Sequence, residues 1–276
     1  LEFIIQSKAL YSTWVYYKPN RILFDCGEGI SEFLGNKIYG IDSIYITHSH
    51  IDHISGLWGL VNIRNNGMGS REKPLQIYYP SGARQFEEYM TFIFKMNKRL
   101  RYDIITTPLE LSQTVSISPS RYIKPFRTKH TPGETSYGFQ IIEIRNRLKE
   151  AYRSLSQEEI KKNVELLGKA AITENYESKV LTLSGDSLAI PTECALGSEI
   201  LIHECTFFNE NDRKIRNHTS LRELTELISK THPKRVIIYH ISSRYERILL
   251  KKEKELKELF PEIDIVMIKT QGVTEI

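Results

Sequence analysis

Apolar positions along this chain follow two rhythms. Short β-rich runs alternate with stretches whose apolar residues recur every three or four positions. Phe3-Ile4-Ile5, Thr13-Trp14-Val15-Tyr16-Tyr17 and Arg21-Ile22-Leu23-Phe24-Asp25 predict three strands, with Lys18-Pro19-Asn20 as the turn between the last two. Asp25-Cys26-Gly27-Glu28-Gly29 breaks the third strand, and residues 30–34 start a helix with Glu28 near its positive end. A strand over 44–47 leads through a histidine loop into a helix that stops in Asn65-Asn66-Gly67-Met68-Gly69. Residues 75–79 read as a strand ended by Pro80-Ser81-Gly82, and 84–96 as a helix with Phe86, Met90, Ile93 and Phe94 on its apolar positions.

The middle returns to strands, at 102–106, 114–118, 122–126 and 137–142. Strands at 180–183, 200–202, 236–239 and 263–267 then alternate with helices at 219–231 and 245–259. Both halves begin with strands and pass to strand–helix units. The pattern predicts an α/β domain of two mixed sheets packed together, with helices outside. Residues 145–179 interrupt it. They are charged, hold helical spacing over 157–167, and are too polar to carry their own core, so they read as an inserted arm of a single domain, 1–276.

Composition adds bounds. At 276 residues, 40% hydrophobic and 26% charged, the chain suits an ordinary globular protein with a sizeable core. The net charge of +4 permits an anionic partner without demanding one. Cys26, Cys194 and Cys205 are odd in number and lack C-x-x-C spacing, which points to a reducing, cytoplasmic setting with small buried thiols. No run reaches membrane-span length. The chain starts at Leu1 rather than Met, but Phe3-Ile4-Ile5 already reads as strand, so little is expected to precede it.

The chemistry concentrates in Thr47-His48-Ser49-His50-Ile51-Asp52-His53. His48 and His50 are two apart and face the same side in extended chain, and Asp52 and His53 follow where the helix begins. That spacing suits two adjacent divalent metals better than one. Three more ligand types stand at strand ends: His130, Asp186 and His240. The expected division is His48, His50 and His130 for one ion, and Asp52, His53 and His240 for the other, with Asp186 bridging. Zinc suits such a histidine-rich set, with manganese as the alternative. Glu204 and His218 offer a carboxylate–imidazole pair that could shuttle protons, although a helix-capping role for Asn217 or Thr219 fits the same spacing. Cations cluster around these points: Arg121, Lys124, Arg127 and Lys129 before His130, Arg213, Lys214 and Arg216 before His218, and Arg244 and Arg247 after His240.

The set His48 to His53, His130, Ser184-Gly185-Asp186-Ser187 and His240 resembles the metallo-β-lactamase superfamily. Leu201-Ile202-His203-Glu204-Cys205-Thr206-Phe207 is similar to an H-E-A-T stretch with Cys for Ala, Asn217-His218-Thr219-Ser220 to an H-S-T stretch with the hydroxyls exchanged, and His240-Ile241-Ser242-Ser243-Arg244-Tyr245 to an H-x-S-x-R-Y ending. Together they resemble the ribonuclease Z family. The resemblance implies a four-layer αβ/βα sandwich, two zinc ions and removal of the 3′ trailer from precursor tRNA. It also implies a homodimer in which one subunit's arm, here 145–179, grips tRNA cut by the other. Asp52 would orient the attacking water, and His218 held by Glu204 would protonate the leaving oxygen. Arg244, Ser242, Tyr245 and Lys129 would hold substrate. The chain departs from the family at Gln6 to Ser12, where a glycine-rich turn is usual, and in its arm, which lacks a Gly-Pro-rich tip and carries eight Lys/Arg against six Glu. Other hydrolases of the superfamily, acting on small phosphodiesters, thioesters or lactones, share the metal set. A non-catalytic zinc-stabilised RNA-binding protein is the remaining alternative.

Overall fold

A computed structural model describes residues 2–67 and 73–276. The first half runs β1 (Phe3–Lys8), β2 (Ser12–Tyr17), β3 (Ile22–Phe24), α1 (Ile30–Leu34), β4 (Ser43–Tyr45), α2 (Ile51–Ile54), α3 (Leu57–Gly67), β5 (Leu75–Pro80), α4 (Arg84–Met96) and β6 (Ile104–Leu109). The second half runs β7 (Val115–Ser118), β8 (Arg121–Arg127), β9 (Tyr137–Leu148), α5 (Gln157–Leu167), α6 (Lys169–Ile172), β10 (Thr173–Leu183), α7 (Thr192–Ala195), β11 (Ser198–Glu204), α8 (Leu221–Thr231), β12 (Arg235–Tyr239), α9 (Leu249–Leu259), β13 (Asp264–Met267) and β14 (Thr274–Glu275). Part of the expected stop of α3, Met68-Gly69, lies outside the described residues.

Two seven-stranded sheets form, in the orders β14-β1-β2-β3-β4-β5-β6 and β13-β12-β11-β10-β9-β8-β7. Each mixes antiparallel and parallel pairs. Strand alternation sorts the core into layers. Phe3, Ile5, Val15, Phe24 and Tyr45 point inward to meet Phe139, Ile141, Leu181, Ile202 and Ile237 of the other sheet. Their neighbours Ile4, Trp14, Leu23 and Ile44 point outward under α1, α3 and α4, against Ile30, Leu57, Leu60 and Phe86. Leu201, Val236, Ile238 and Ile265 do the same on the far side, under α8 and α9. The expected helix–sheet–sheet–helix sandwich is therefore the observed one.

The helical spacing expected over 157–167 is α5, and residues 145–148 and 173–179 on either side of it extend strands of the sheet. β9 and β10 continue as an antiparallel ladder from Leu183↔Phe139 out to Thr173↔Leu148, and only the tip is helical. α5 begins with a Ser156–Glu159 capping box and buries none of its residues.

Candidate metal centre

The loops at the strand ends along the junction of the two sheets converge on one cleft. β4 delivers His48 and His50, and α2 starts at once, placing Asp52 and His53 in its single turn. Asp25 and His240 end β3 and β12 with left-handed backbones, φ 57° and 55°, which aim their side chains back under the strand ends. Gly185 precedes Asp186 at φ 64°, and a Cβ there would lie 2.8 Å from the Tyr137 carbonyl and 2.9 Å from Thr47 Cβ. Gly56 lets the α2–α3 turn pass over Gly27, whose carbonyl oxygen would be 2.0 Å from an added Cβ. Both positions therefore demand glycine.

The hydrogen bonds fix which ring nitrogen of each histidine faces the cleft. Thr47 Oγ1 donates to Asp25 Oδ2 at 2.9 Å, so it can only accept from His48 Nδ1, also at 2.9 Å, leaving His48 Nε2 bare. Thr206 Oγ1 donates to Glu204 Oε2 and so accepts from His240 Nδ1, at 2.9 Å in each case. His53 Nδ1 donates to Asp25 at 2.7 Å, and His130 Nδ1 to the Asn217 carbonyl at 3.1 Å. His50 is reversed: its Nε2 lies 3.0 Å from Glu134, and its Nδ1 faces His130 Nε2 at 3.2 Å.

Nε2 of His48, His53 and His240 and Oδ1 of Asp186 are buried without a hydrogen-bond partner. Buried polar atoms without partners are rare and call for an explanation. The outer nitrogens are all tied, as imidazoles prepared for metal are. Among the described residues, donor atoms lie within 4.8 Å of one another in the groups His48–His50–His130, Asp52–His53–His240 and His48–His53–Asp186. The residues present therefore fit divalent metal ions.

Without metal, the charges of the cleft balance one another. Burial opposes ionisation of Asp186, but His240 and His53 outweigh it and hold the carboxyl well below its usual range. Asp186 Oδ2 is 3.0 Å from His240 Nε2 and 3.3 Å from His53 Nε2. Burial depresses His48 and His130, keeping them neutral. Glu204 is wholly buried. Its Oε1 accepts from Ser187 N, Thr219 N and His218 Nδ1 at 3.1, 3.1 and 2.9 Å, and its Oε2 from Thr206 N at 2.9 Å. Burial disfavours a charged His218, but Glu204 prevails and pushes it up to about 9. The His218 ring stacks on His240 at 5.3 Å.

All seven ligand-type residues and the Glu204–His218 pair thus meet in one cleft. The outer residues divide. Lys129 is exposed and lines a 320 Å³ cleft with Arg216 and Lys230. Arg244 is exposed, 5.9 Å over the Phe207 ring. Ser242 is half-buried, with its N–H on the Thr206 carbonyl at 3.3 Å. Tyr245 is turned inward instead. It is 6% exposed, stacked on Phe208 at 4.6 Å, with its hydroxyl donating to Asp212, and it offers substrate no free group. Arg213 and Arg121 are likewise engaged within the fold, by Glu223 and the His218 carbonyl, and by Glu143 and Asn20. His203 is buried, accepting from Ile190 N and donating to the Glu204 carbonyl. The sequence reading missed Asp25, Thr47, Thr206 and Glu134 as tethers. Their only local signal is a polar residue at or next to a strand end or a ligand.

Similar proteins bear on this site. A family model described as Anti-Pycsar protein Apyc1 matches residues 6–259. A ribonuclease Z from Listeria welshimeri is 30% identical over 254 residues, covering 82% of this chain and 79% of that protein. The chain belongs to this ribonuclease Z and Apyc1 family. Human tRNase Z, short form, superposes with a TM-score of 0.67 at 18% identity, over 99% of each chain. A metallo-β-lactamase-fold protein from Bacillus subtilis gives 0.64 at 16%, over 99% and 98%. The four-layer sandwich is the metallo-β-lactamase fold, and the ribonuclease Z relatives carry the family beyond fold alone.

Proposed function

We propose that the chain is a metal-dependent endoribonuclease that removes the 3′ trailer of precursor tRNA. It leaves a 3′-hydroxyl on the tRNA and a 5′-phosphate on the trailer. The observation that carries this reading is the His218–Glu204 pair set against the cluster of unpartnered ligand atoms, in a chain 30% identical to a ribonuclease Z. His48, His50 and His130 would hold one zinc, Asp52, His53 and His240 a second, with Asp186 between them. When bound, the ions would supply Lewis acidity to activate water and neutralise phosphate charge.

The chain's own groups do the rest. Asp52 lies 3.6 Å from His240 and 3.7 Å from His53, and its lowered pKa leaves it ionised to orient the attacking water and accept its proton. Glu204 favours the protonated form of His218 and fixes the ring through Nδ1, so Nε2 can serve the leaving 3′ oxygen. Glu204 itself, saturated by donors, exchanges no proton. Arg244, Lys129 and Ser242 would take substrate phosphates, and the β9–β10 arm would grip tRNA across a homodimer in the cytoplasm. No helix among the described residues is long and apolar enough to cross a membrane.

A second reading is hydrolysis of a small phosphodiester at the same centre, since the same ligand groups would serve any accessible diester. The test is incubation of zinc-loaded protein with precursor tRNA and with a generic diester, followed by mapping of product ends. Cleavage at the tRNA 3′ side with the stated ends is expected. Intact tRNA beside fast turnover of the diester, a thioester or a lactone would sink the first reading.

A further inference from the structure

We infer that Glu134 is a positioning residue for the metal centre, acting through His50. His50 differs from the other imidazoles of the cluster in two ways. Its ring is 38% exposed, whereas those of His53 and His240 are at most 2%. It also presents Nδ1 rather than Nε2, since Nδ1 is the atom 3.2 Å from His130 Nε2. A half-exposed ring has other rotamers open to it and the other tautomer available, so something must select this one.

Glu134 does so with both oxygens. Oε2 lies 3.0 Å from His50 Nε2, an electrostatic contact rather than a hydrogen bond, and a carboxylate there favours a proton on that nitrogen and leaves Nδ1 to face the cleft. Oε1 accepts the N–H of Ser49 at 3.1 Å and pins the backbone between the two histidines of the loop. The Glu134 side chain is only 15% exposed, so the contact is shielded from solvent. Its own backbone is set by a turn, Glu134 N–H to the Thr131 carbonyl at 3.2 Å, one residue past His130. One short loop therefore supplies a ligand, His130, and the tether of its neighbour, His50. That loop also walls a cavity of about 610 Å³ with Ser49, Gly82 and Arg84, so the tether stands between the cleft and open space.

This inference rests on the metal-binding reading above, and the experiment separates the two. Metal-free wild-type, Glu134→Ala and Glu134→Gln proteins are titrated with zinc against a competing chelator, and urea unfolding is followed in parallel. Glu134→Ala should weaken one of two binding steps by roughly 10- to 100-fold and leave the other step and the urea midpoint unchanged. Glu134→Gln keeps one accepting oxygen and should fall between. Unchanged zinc affinity in Glu134→Ala overturns the inference and leaves the metal reading standing. So does equal loss from both steps in both variants with a lower urea midpoint, which marks a purely structural role. A wild type that binds no zinc overturns both.

Discussion

The candidate metal centre and the β9–β10 arm both rely on polar and charged side chains, but on opposite principles: His and Asp dominate the centre, and residues 145–179 contain neither. At the centre most polar groups are buried, and the imidazoles are oriented by second residues. Asp25 alone holds Thr47 N, Thr47 Oγ1 and His53 Nδ1, at 2.7, 2.9 and 2.7 Å. In the arm, Glu174 pairs with Arg147 and Arg153, but these arginines are 50% and 46% exposed. Exposed pairs of that kind contribute little and tolerate change. Buried, mutually saturated groups are costly to break and hold geometry within narrow limits. The contrast teaches where precision resides: in the buried cleft rather than in the exposed arm.

The largest effect should come from within the cleft. His218→Ala should slow phosphodiester cleavage by roughly 10²- to 10⁴-fold while leaving metal content, measured by atomic emission, unchanged. Metal loss would remove the boundary drawn between ligands and proton donor. Next, Asp25→Ala should destabilise the protein by about 3–5 kcal/mol in urea, since it strips a buried partner from His53. Glu174→Ala in the arm should cost about 1 kcal/mol or less. Equal losses at the two positions would erase the contrast.

A smaller effect is a pH dependence. In the metal-free protein His218 titrates at about 9, against about 6.5 when unfolded. Its stabilisation is fully present below pH about 6.5 and disappears as pH rises through about 9. The urea-midpoint difference between wild type and His218→Asn should therefore shrink between pH 6 and 9.5. A difference that does not vary with pH would show that Glu204 does not hold the proton there.

The same contrast explains what the sequence made legible. The candidate ligand cluster was legible because metal chemistry restricts residue type and strand ends restrict position: His48 to His53 follow β4 with little filler. The layers could be read because strands buried on both faces run apolar, as Val236 to Tyr239 do in β12. Strand continuation into the arm could not. Beyond Ile142 the β9 ladder leaves the sandwich, and residues 143–148 are intermediate or exposed, so no period-two pattern is imposed on Glu143-Ile144-Arg145-Asn146-Arg147-Leu148. The tethers were hidden for another reason. Asp25 meets His53 across 28 residues, and Glu134 meets Ser49 across 85, and such pairings exist only once the loops converge. Tyr245 shows a different limit, since its motif position suggested substrate and says nothing of the packing on Phe208 that turns it inward.

The division of labour between centre and arm has one direct measurement. Leu148 and Thr173 are paired across the ladder, so residues 149–172 can be replaced by a short glycine turn without disturbing the strands. The kcat/KM of this trimmed protein, zinc-loaded, should be unchanged on a small diester. On precursor tRNA it should fall at least tenfold through KM, about 1.4 kcal/mol of binding. Equal kcat/KM on both substrates before and after trimming would contradict the account.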